Sequence, residues 1–468
     1  MGTLSGLFAL SRSALAADQA ALSATSNNVA NQNTAGYVRQ VVSWTSGDSV
    51  SLGAGREVAA SGPSVTTVFK RDRVLEQRVQ QQTQIQAGTA SQASVLAQIE
   101  SVFSLSGGSS TAGATQIGTA INSFFSSLTA LTGSPSDAAT RQGVLSAASA
   151  LANAFNTAST QLGQVSASIN GEISSSVLQV NALTGIIAKL NAQIGSTSPD
   201  TDAGPLENQR QAAIAQLSQY IGMDQISTEG NGITLTTTGG TVLVAGANAF
   251  SLSAVKTGNV TTLHDSTGTD VSGTVQDGSI GGQLVAQNKS LPEVLGALDA
   301  VAQRIGAAVN AQNTAGIDGT GAAGGPIFAL GGTTAGAAAA ITLIADSANA
   351  IATAGAGEGS TGNTNAVALQ DLGTAVDASG STIASQFASL LSQVGTNSSA
   401  ISEQQTTQEA SLSQLTTQRD SLSAVSLDDE AANLSQYQRS YQAAARVLSV
   451  LDTLLASAIN LGSQTTVS

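Results

Sequence analysis

The chain has 468 residues, of which 10% are charged and 3% aromatic, and it carries a net charge of −14 with a pI near 4.3. Such acidity argues against nucleic acid or an anionic membrane surface as partner, because both select basic faces. Without cysteine there is no disulfide framework, no thiolate metal site and no cysteine nucleophile, and the length suits two to four domains. Ala, Ser, Thr, Gln and Gly dominate, so large side chains are scarce and the cores should be thin, as in long packed helices.

The first segment predicts a helix. Phe8, Leu15, Leu22 and Val29 recur every seven residues, backed by Leu4, Ala14, Ala17 and Ala21. It does not read as a secretory signal: no basic residue precedes the apolar run, which breaks at Ser11-Arg12. No window in the chain approaches 18 apolar residues, so no membrane insertion is expected. The helix should stop in the turn-rich run from Asn31 to Gly36. Residues 37–68 alternate in places and hold four glycines and Pro63, which suggests an extended or hairpin-like connector. Trp44, the one tryptophan, is expected at a buried contact, and Lys70-Arg71-Asp72-Arg73 as a solvated helix start.

Helical spacing resumes with Val74, Leu75, Val79, Ile85, Val95, Ile99, Val102 and Phe103. After a Gly107–Gly113 loop it continues through Ile117, Ile121, Phe124, Leu128 and Leu131 to Gly133-Ser134-Pro135. The longest run places Phe155, Leu162 and Ile169 seven apart, then Ile173, Val180, Ile187 and Ile194, with a stutter between the two rows. Gly163, Gly171 and Gly185 each cost ~1 kcal/mol relative to Ala inside a helix, so a break is expected. A helix from Leu206 to Tyr220 follows a linker. Ile233 to Gly246 reads as a β-hairpin around Gly239-Gly240, opening a Thr/Val-rich stretch that runs to Gly282. Helices are predicted again over Leu284–Gln312 and Thr382–Leu422, separated by a Gly/Ala/Thr-rich segment whose residues 340–344 suit a strand of the β domain.

The last helix is the clearest. Leu427, Leu434, Tyr441, Leu448 and Leu455 fall every seven residues, and Tyr437, Ala444, Leu451 and Ala458 form a second row three places on. Ser426 is placed as N-cap with Asp429 as capping-box acid, while Asp428 and Glu430 complement the helix dipole. An isolated helix with one wet seam forfeits ~1.5–3 kcal/mol per large side chain. The two terminal helices therefore either pair with each other, the simpler arrangement, or pack separately on a globular body.

Catalytic motifs fare poorly. His264, the one histidine, precedes Asp265 in a loop-like stretch, no G-x-S-x-G elbow surrounds a serine, and one histidine excludes H-E-x-x-H. Gly319-Thr-Gly321-Ala-Ala-Gly324 matches a dinucleotide fingerprint only literally, with no convincing strand before it and no helix after. Asp200-Thr-Asp202-Ala-Gly204 fails as a calcium loop because Pro205 and Gln211 occupy its Gly and Glu places. The acidic Asp428-Asp429-Glu430 is better explained as helix-start charge than as an ion site. No catalytic residue, metal ligand or cofactor is expected.

Two segments carry a family resemblance. SNNVANQNTAGYVRQ, Ser26 to Gln40, resembles the N-terminal signature of the flagellar rod, hook and hook-associated axial proteins, and Leu427 to Leu455 resembles their C-terminal signature. The residues that carry it are Asn28, Asn31, Thr34, Gly36, Tyr37, Arg39, Gln40, Asp429, Glu430, Ala431 and Asn433. GYVRQ, the acidic SLDDEAANL opening and PLENQRQAAIAQLSQYIGM (Pro205 to Met223) favour the branch at the hook–filament junction.

The expected fold is mainly α with an inserted small β domain: the terminal helices pair as a coiled coil, followed by an elongated helical bundle and a distal β lobe. The expected divisions are a terminal coiled coil (1–33 with 426–468), a connector (34–70), a helical bundle (71–223 with 284–325 and 357–425) and the β domain (224–283 with 326–356). The function is then structural, not enzymatic: seam residues Leu4, Phe8, Leu15, Leu22, Val29, Leu434, Tyr437, Tyr441, Leu448, Leu451 and Leu455 drive assembly, with ordering coupled to stacking. The resemblance implies export through the flagellar type III apparatus and an extracellular place at the hook–filament junction. It also implies partners: further copies in a ring or helical zone, hook protein, a second hook–filament junction protein, and a cytoplasmic export chaperone on the C-terminal helix. A hook or distal-rod subunit, or a secreted surface protein with a helical stalk, are the alternatives.

Overall fold

A computed structural model describes residues 2–33, 37–45, 49–51, 57–59, 64–103, 115–197, 203–227, 232–258, 260–359, 361–423 and 425–464. The Gly107–Gly113 loop, most of the Asp200 stretch, Thr34 and Gly36 lie outside them, as do the side chains of Leu4 and Ala458. The elements run α1 (Gly2–Asn31), β1 (Gln40–Thr45), β2 (Ser49–Ser51), β3 (Glu57–Ala59), β4 (Ser64–Phe69), α2 (Arg73–Val102), α3 (Gln116–Gly133), α4 (Ala138–Ser196) and α5 (Gly204–Tyr220). Then come β5 (Met223–Ser227), β6 (Ile233–Thr237), β7 (Val242–Ala245), β8 (Asn248–Ala249), β9 (Ser253–Thr257), β10 (Val260–His264), α6 (Gly278–Val285) and α7 (Leu291–Ala315). The chain closes with β11 (Phe328–Ala329), α8 (Ala337–Ala340), β12 (Thr342–Leu343), α9 (Thr364–Asp371), α10 (Ile383–Ser423) and α11 (Leu427–Gln464). Helix predominates and the sheets are small, as the sequence predicts.

The spine of the body is α4, 59 residues in one unbroken helix, about 88 Å long at 1.5 Å per residue. Asp137 caps it by accepting from the Thr140 amide at 2.8 Å. Twenty-five of its residues are buried, and the inward row passes through the stutter with Ile169 and Ile173 both enclosed. The expected break at the glycines does not occur: Gly163, Gly171 and Gly185 have open space where a Cβ would stand, and the apolar burial on the other face outweighs their propensity cost. By length and apolarity α4 could cross a membrane, but its apolar stripe is the interior of the body. At its first half Phe124 packs edge-on to Phe125 and Phe328, with centroids 5.4 and 6.0 Å away.

Asparagines and one arginine of α4 fix the loops along it. Arg141, buried, donates to Pro135 O, Ile351 O and Thr353 Oγ1 at 2.7–2.9 Å. Asn156 Nδ2 reaches Ala338 O and Ile341 O, Asn181 pairs with both backbone groups of Leu252, and Asn191 Nδ2 donates to Ile233 O and Gly246 O. Each satisfies backbone that the short loops cannot pair internally.

These contacts correct two expectations. The antiparallel sheet β5-β6-β7-β8 lies against the second half of α4, beside the start of α2, where Gln84 bonds Met223 and Gln77 bonds the Gln225 carbonyl. It is therefore at the near end of the body, not a distal tip. The cause is reach: the 17-residue α5 carries the chain only about 25 Å back along α4 before the sheet begins. The strand predicted around residues 340–344 does exist, but β12 pairs with β11 in a separate two-stranded sheet near Asn156. α6 and α7 have by then taken the chain toward the far end, roughly 50 Å from Asn191. Residues 326–356 thus do not join the sheet of residues 223–249.

Three loops share one construction that escaped the sequence reading. Asp265, Asp318 and Asp377 each accept from the amides two and four residues on, and from the intervening Thr or Ser hydroxyl. In each, the residue three places on is a glycine at φ between +78° and +87°, a conformation costly for other residues. The Asp318 loop is the glycine motif that matched a dinucleotide fingerprint. In the Asp265 loop, His264 Nδ1 bonds the Gly268 carbonyl and Nε2 the Thr262 hydroxyl, so both ring nitrogens serve the hairpin.

Candidate assembly interface

α1 and α11 lie side by side, and two contacts fix the pair as antiparallel. Ser440 Oγ donates to Asp18 Oδ2 at 2.9 Å, and Glu430, one helical stretch earlier, meets Arg39 beyond the end of α1. The centre of the α1 contact is a row of small and polar residues. Ser11, Asp18 and Thr25 are buried seven apart, with Ala21 and Asn28 between the rows. Small side chains let the helices approach closely, which pushes the large ones to the rim. Phe8, Leu15 and Leu22 are half-buried, and Val29, placed in the seam by its spacing, is turned outward at 37% exposure.

On α11 the seven-residue rows face α1. Leu434, Tyr437, Tyr441, Ala444 and Leu448 are half-buried and Leu451 is buried, whereas Leu455 is 38% exposed near the open end. Ser426 accepts from the Asp429 amide at 3.4 Å and its carbonyl from Glu430, starting the helix.

The chain reversal after α1 is held by residues of the family signature. Asn28 Nδ2 donates to Gln40 O, and Gln40 N donates back to Asn28 Oδ1, both at 2.8 Å; the Tyr37 hydroxyl donates to the same Oδ1 at 3.1 Å. Arg39 Nε bonds Glu430 Oε1 at 2.7 Å, with Glu430 only 1% exposed, and Asp429 lies 3.7 Å from Arg39 Nη1 on the solvent side. Burial, then the Glu430 charge, push the Tyr37 phenol above its ordinary pKa, keeping it a donor. Asn31 instead bonds its own helix at Asn27 O, Ala431 is exposed and Asn433 half-buried.

Beside the pair, β1 and β4 form an antiparallel hairpin, from which Trp44 approaches Tyr437 with ring centroids 6.4 Å apart. Trp44 is 43% exposed, so the expectation of a buried contact is only half met: the ring has a neighbour in Tyr437 but is not enclosed. Spacing also missed a second apolar row. Val447, Val450 and Leu454 are exposed on α11, level with exposed Leu7 and Leu10 of α1 at the same end of the pair. Their three-four spacing was the available signal.

The arrangement is that of an axial flagellar protein: terminal helices folded together, with the rest of the chain inserted between them. Residues 9–37 match the family model described as flagella basal body rod protein, and 418–461 that of the flagellar basal body rod FlgEFG protein C-terminal. Residues 96–328, covering α3 to α7, match the flagellar hook-associated protein FlgK helical domain. The chain is 29% identical to flagellar hook-associated protein 1 of Bacillus subtilis (strain 168) over an alignment covering 96% of each. It is 30% identical to the Escherichia coli (strain K12) protein of that name over 70% of this chain and 60% of the relative. Its fold matches the flagellar hook junction protein FlgK from Burkholderia pseudomallei with a TM-score of 0.67 at 17% identity, over 74% of this chain and all of that one.

The chain belongs to the flagellar hook-associated protein 1 family. It is a structural component of the bacterial flagellum at the hook–filament junction, outside the cell. The helical-domain match sets aside the hook, distal-rod and stalked surface-protein alternatives.

Proposed function

We propose that α1 and α11 are the polymerising element of this chain, and that the body between them is a prefolded spacer. Copies stack through the terminal pair into a ring or short helical zone, with hook protein on one side and a second hook–filament junction protein on the other, so that the zone adapts hook to filament. The observation that carries this is the shallow closure of the pair. Among the described residues of α11 only Glu430 and Leu451 are buried, while Leu7, Leu10, Val447, Val450 and Leu454 stand exposed together. Each such side chain gains ~1.5–3 kcal/mol when covered, so several per copy supply the drive for stacking. The same stripe suits a cytoplasmic chaperone that covers it before export, unfolded, through the flagellar type III apparatus. The proposed assembly residues are Leu4, Phe8, Leu15, Leu22, Leu434, Tyr437, Tyr441, Leu448, Leu451 and Leu455, joined by the exposed row; Val29 contributes from the outer side.

Deleting residues 426–468 tests this. The expected product is a soluble, folded body that is absent from the hook tip; normal incorporation of the truncated chain would refute the proposal. Leu448→Asp with Leu455→Asp serves as the milder form, expected to abolish incorporation while leaving the melting temperature of the body unchanged.

A further inference from the structure

Where β4 hands over to α2, the near end of the body encloses a recess of about 230 Å³ between α2, α5 and β5–β6. Its polar lining includes Arg71, Arg73, Arg210, Glu76 and Glu207. Two of the arginines are fixed by neighbours. Arg210, 4% exposed, donates through Nη1 to Asn191 Oδ1 at 2.8 Å; Arg71 donates to Asn208 at 2.6 Å and lies 3.1 Å from Glu76. The sequence expectation of a solvated basic cluster is thus corrected at Arg71, whose side chain is 12% exposed. Arg73 is exposed at the first turn of α2, behind the Asp72 cap.

The charges do not cancel. Burial pushes the Glu76 pKa up, while Arg71, 3.1 Å away, and the more distant Arg419, itself paired with Asp420, pull it down. Burial lowers the pKa of Arg210, Glu207 acts against that, and Arg71 and Arg73 add to it. With three arginines against two glutamates in its lining, the pocket of a chain with 30 acidic and 16 basic residues carries a local excess of positive charge, with the forks of Arg71 and Arg210 held in place and Arg73 free to turn toward an incoming group. Guanidinium groups so arranged match the two oxygens of a carboxylate.

We propose that this recess binds an oxyanion through Arg73 and Arg210, and that in the assembled flagellum the oxyanion is a side-chain carboxylate of a second copy. The second half rests on the stacking reading above. A neighbour carrying net charge −14 offers carboxylates in abundance, such as the exposed Asp428 and Asp429 at the start of its α11. The recess begins at Arg71, one residue after Lys70, whose amide bonds the carbonyl of Arg39, the residue that grips Glu430 of the terminal pair.

The test has two arms. In the first, the full-length monomer is titrated with sodium acetate against sodium chloride of equal ionic strength, following the arginine Nε–Hε resonances. Saturable shifts at Arg73 and Arg210 are expected, with affinity reduced roughly tenfold in Arg73→Gln, the loss of one charge-assisted hydrogen bond. A response that does not saturate, or that Arg73→Gln leaves intact, overturns the site. In the second, Arg73→Glu is expressed in flagellated cells lacking their own copy. Incorporation is expected to fall roughly tenfold with an unchanged melting temperature. Wild-type incorporation by a variant that no longer binds acetate overturns the second copy as source and assigns the site to a free solute; failure of the first arm leaves the stacking reading itself standing.

Discussion

The body and the terminal pair are built from the same residue types, yet their seams close differently. In α4 twenty-five of 59 residues are buried, because α3, α5, α7 and the loops surround it. Among the described residues the heptad rows of α11 pack chiefly on α1, with Trp44 of β1 beside Tyr437, and most large side chains stay half-open. The difference teaches that heptad spacing alone does not fix depth of burial; the number of neighbours does. α10 shows both regimes in one helix. Ile383, Phe387, Leu390 and Val394 are buried in the bundle, whereas further on Gln408 meets Gln82 of α2 across a seam of polar, half-exposed residues.

The sharpest way to break this comparison is to open a cavity in the closed region. Leu151→Ala, at a fully buried position of α4, should destabilise the body by about 2–5 kcal/mol, read as a large drop in the denaturant midpoint. A truncation of similar size on α11, such as Leu454→Ala, should leave that midpoint in place; equal effects would erase the distinction. A smaller effect is expected at the clamp. Glu430→Ala removes the partner of Arg39 and should ease local opening of the pair by about 1–2 kcal/mol, visible as faster exchange at Tyr37 and Gln40 without change in global unfolding.

Much of the fold was legible because long helices repeat their pattern many times. The rows of α4 and α11 are unmistakable in the sequence. What stayed hidden depended on which neighbours arrive. In α1, Phe8, Leu15, Leu22 and Val29 mark a row by size, but close approach selected the small row through Ser11, Asp18 and Thr25, and a buried Asp18 becomes intelligible only once Ser440 stands opposite. The lock of Asn28, Tyr37, Arg39, Gln40 and Glu430 joins residues nearly 400 positions apart, which no local pattern encodes. Likewise β12 had the composition of a strand, while its partner was decided by how far α7 carries the chain.

The most direct measurement is hydrogen–deuterium exchange on the free, unassembled chain and again on isolated hook–filament junctions. In the free chain, amides of α4 should exchange only through global unfolding, while those of α1 and the second half of α11 exchange orders of magnitude faster, becoming protected in the junction. Protection of the terminal pair equal to that of α4 in the free chain, or fast exchange that persists in the junction, would contradict a polymerising element that closes only when copies stack.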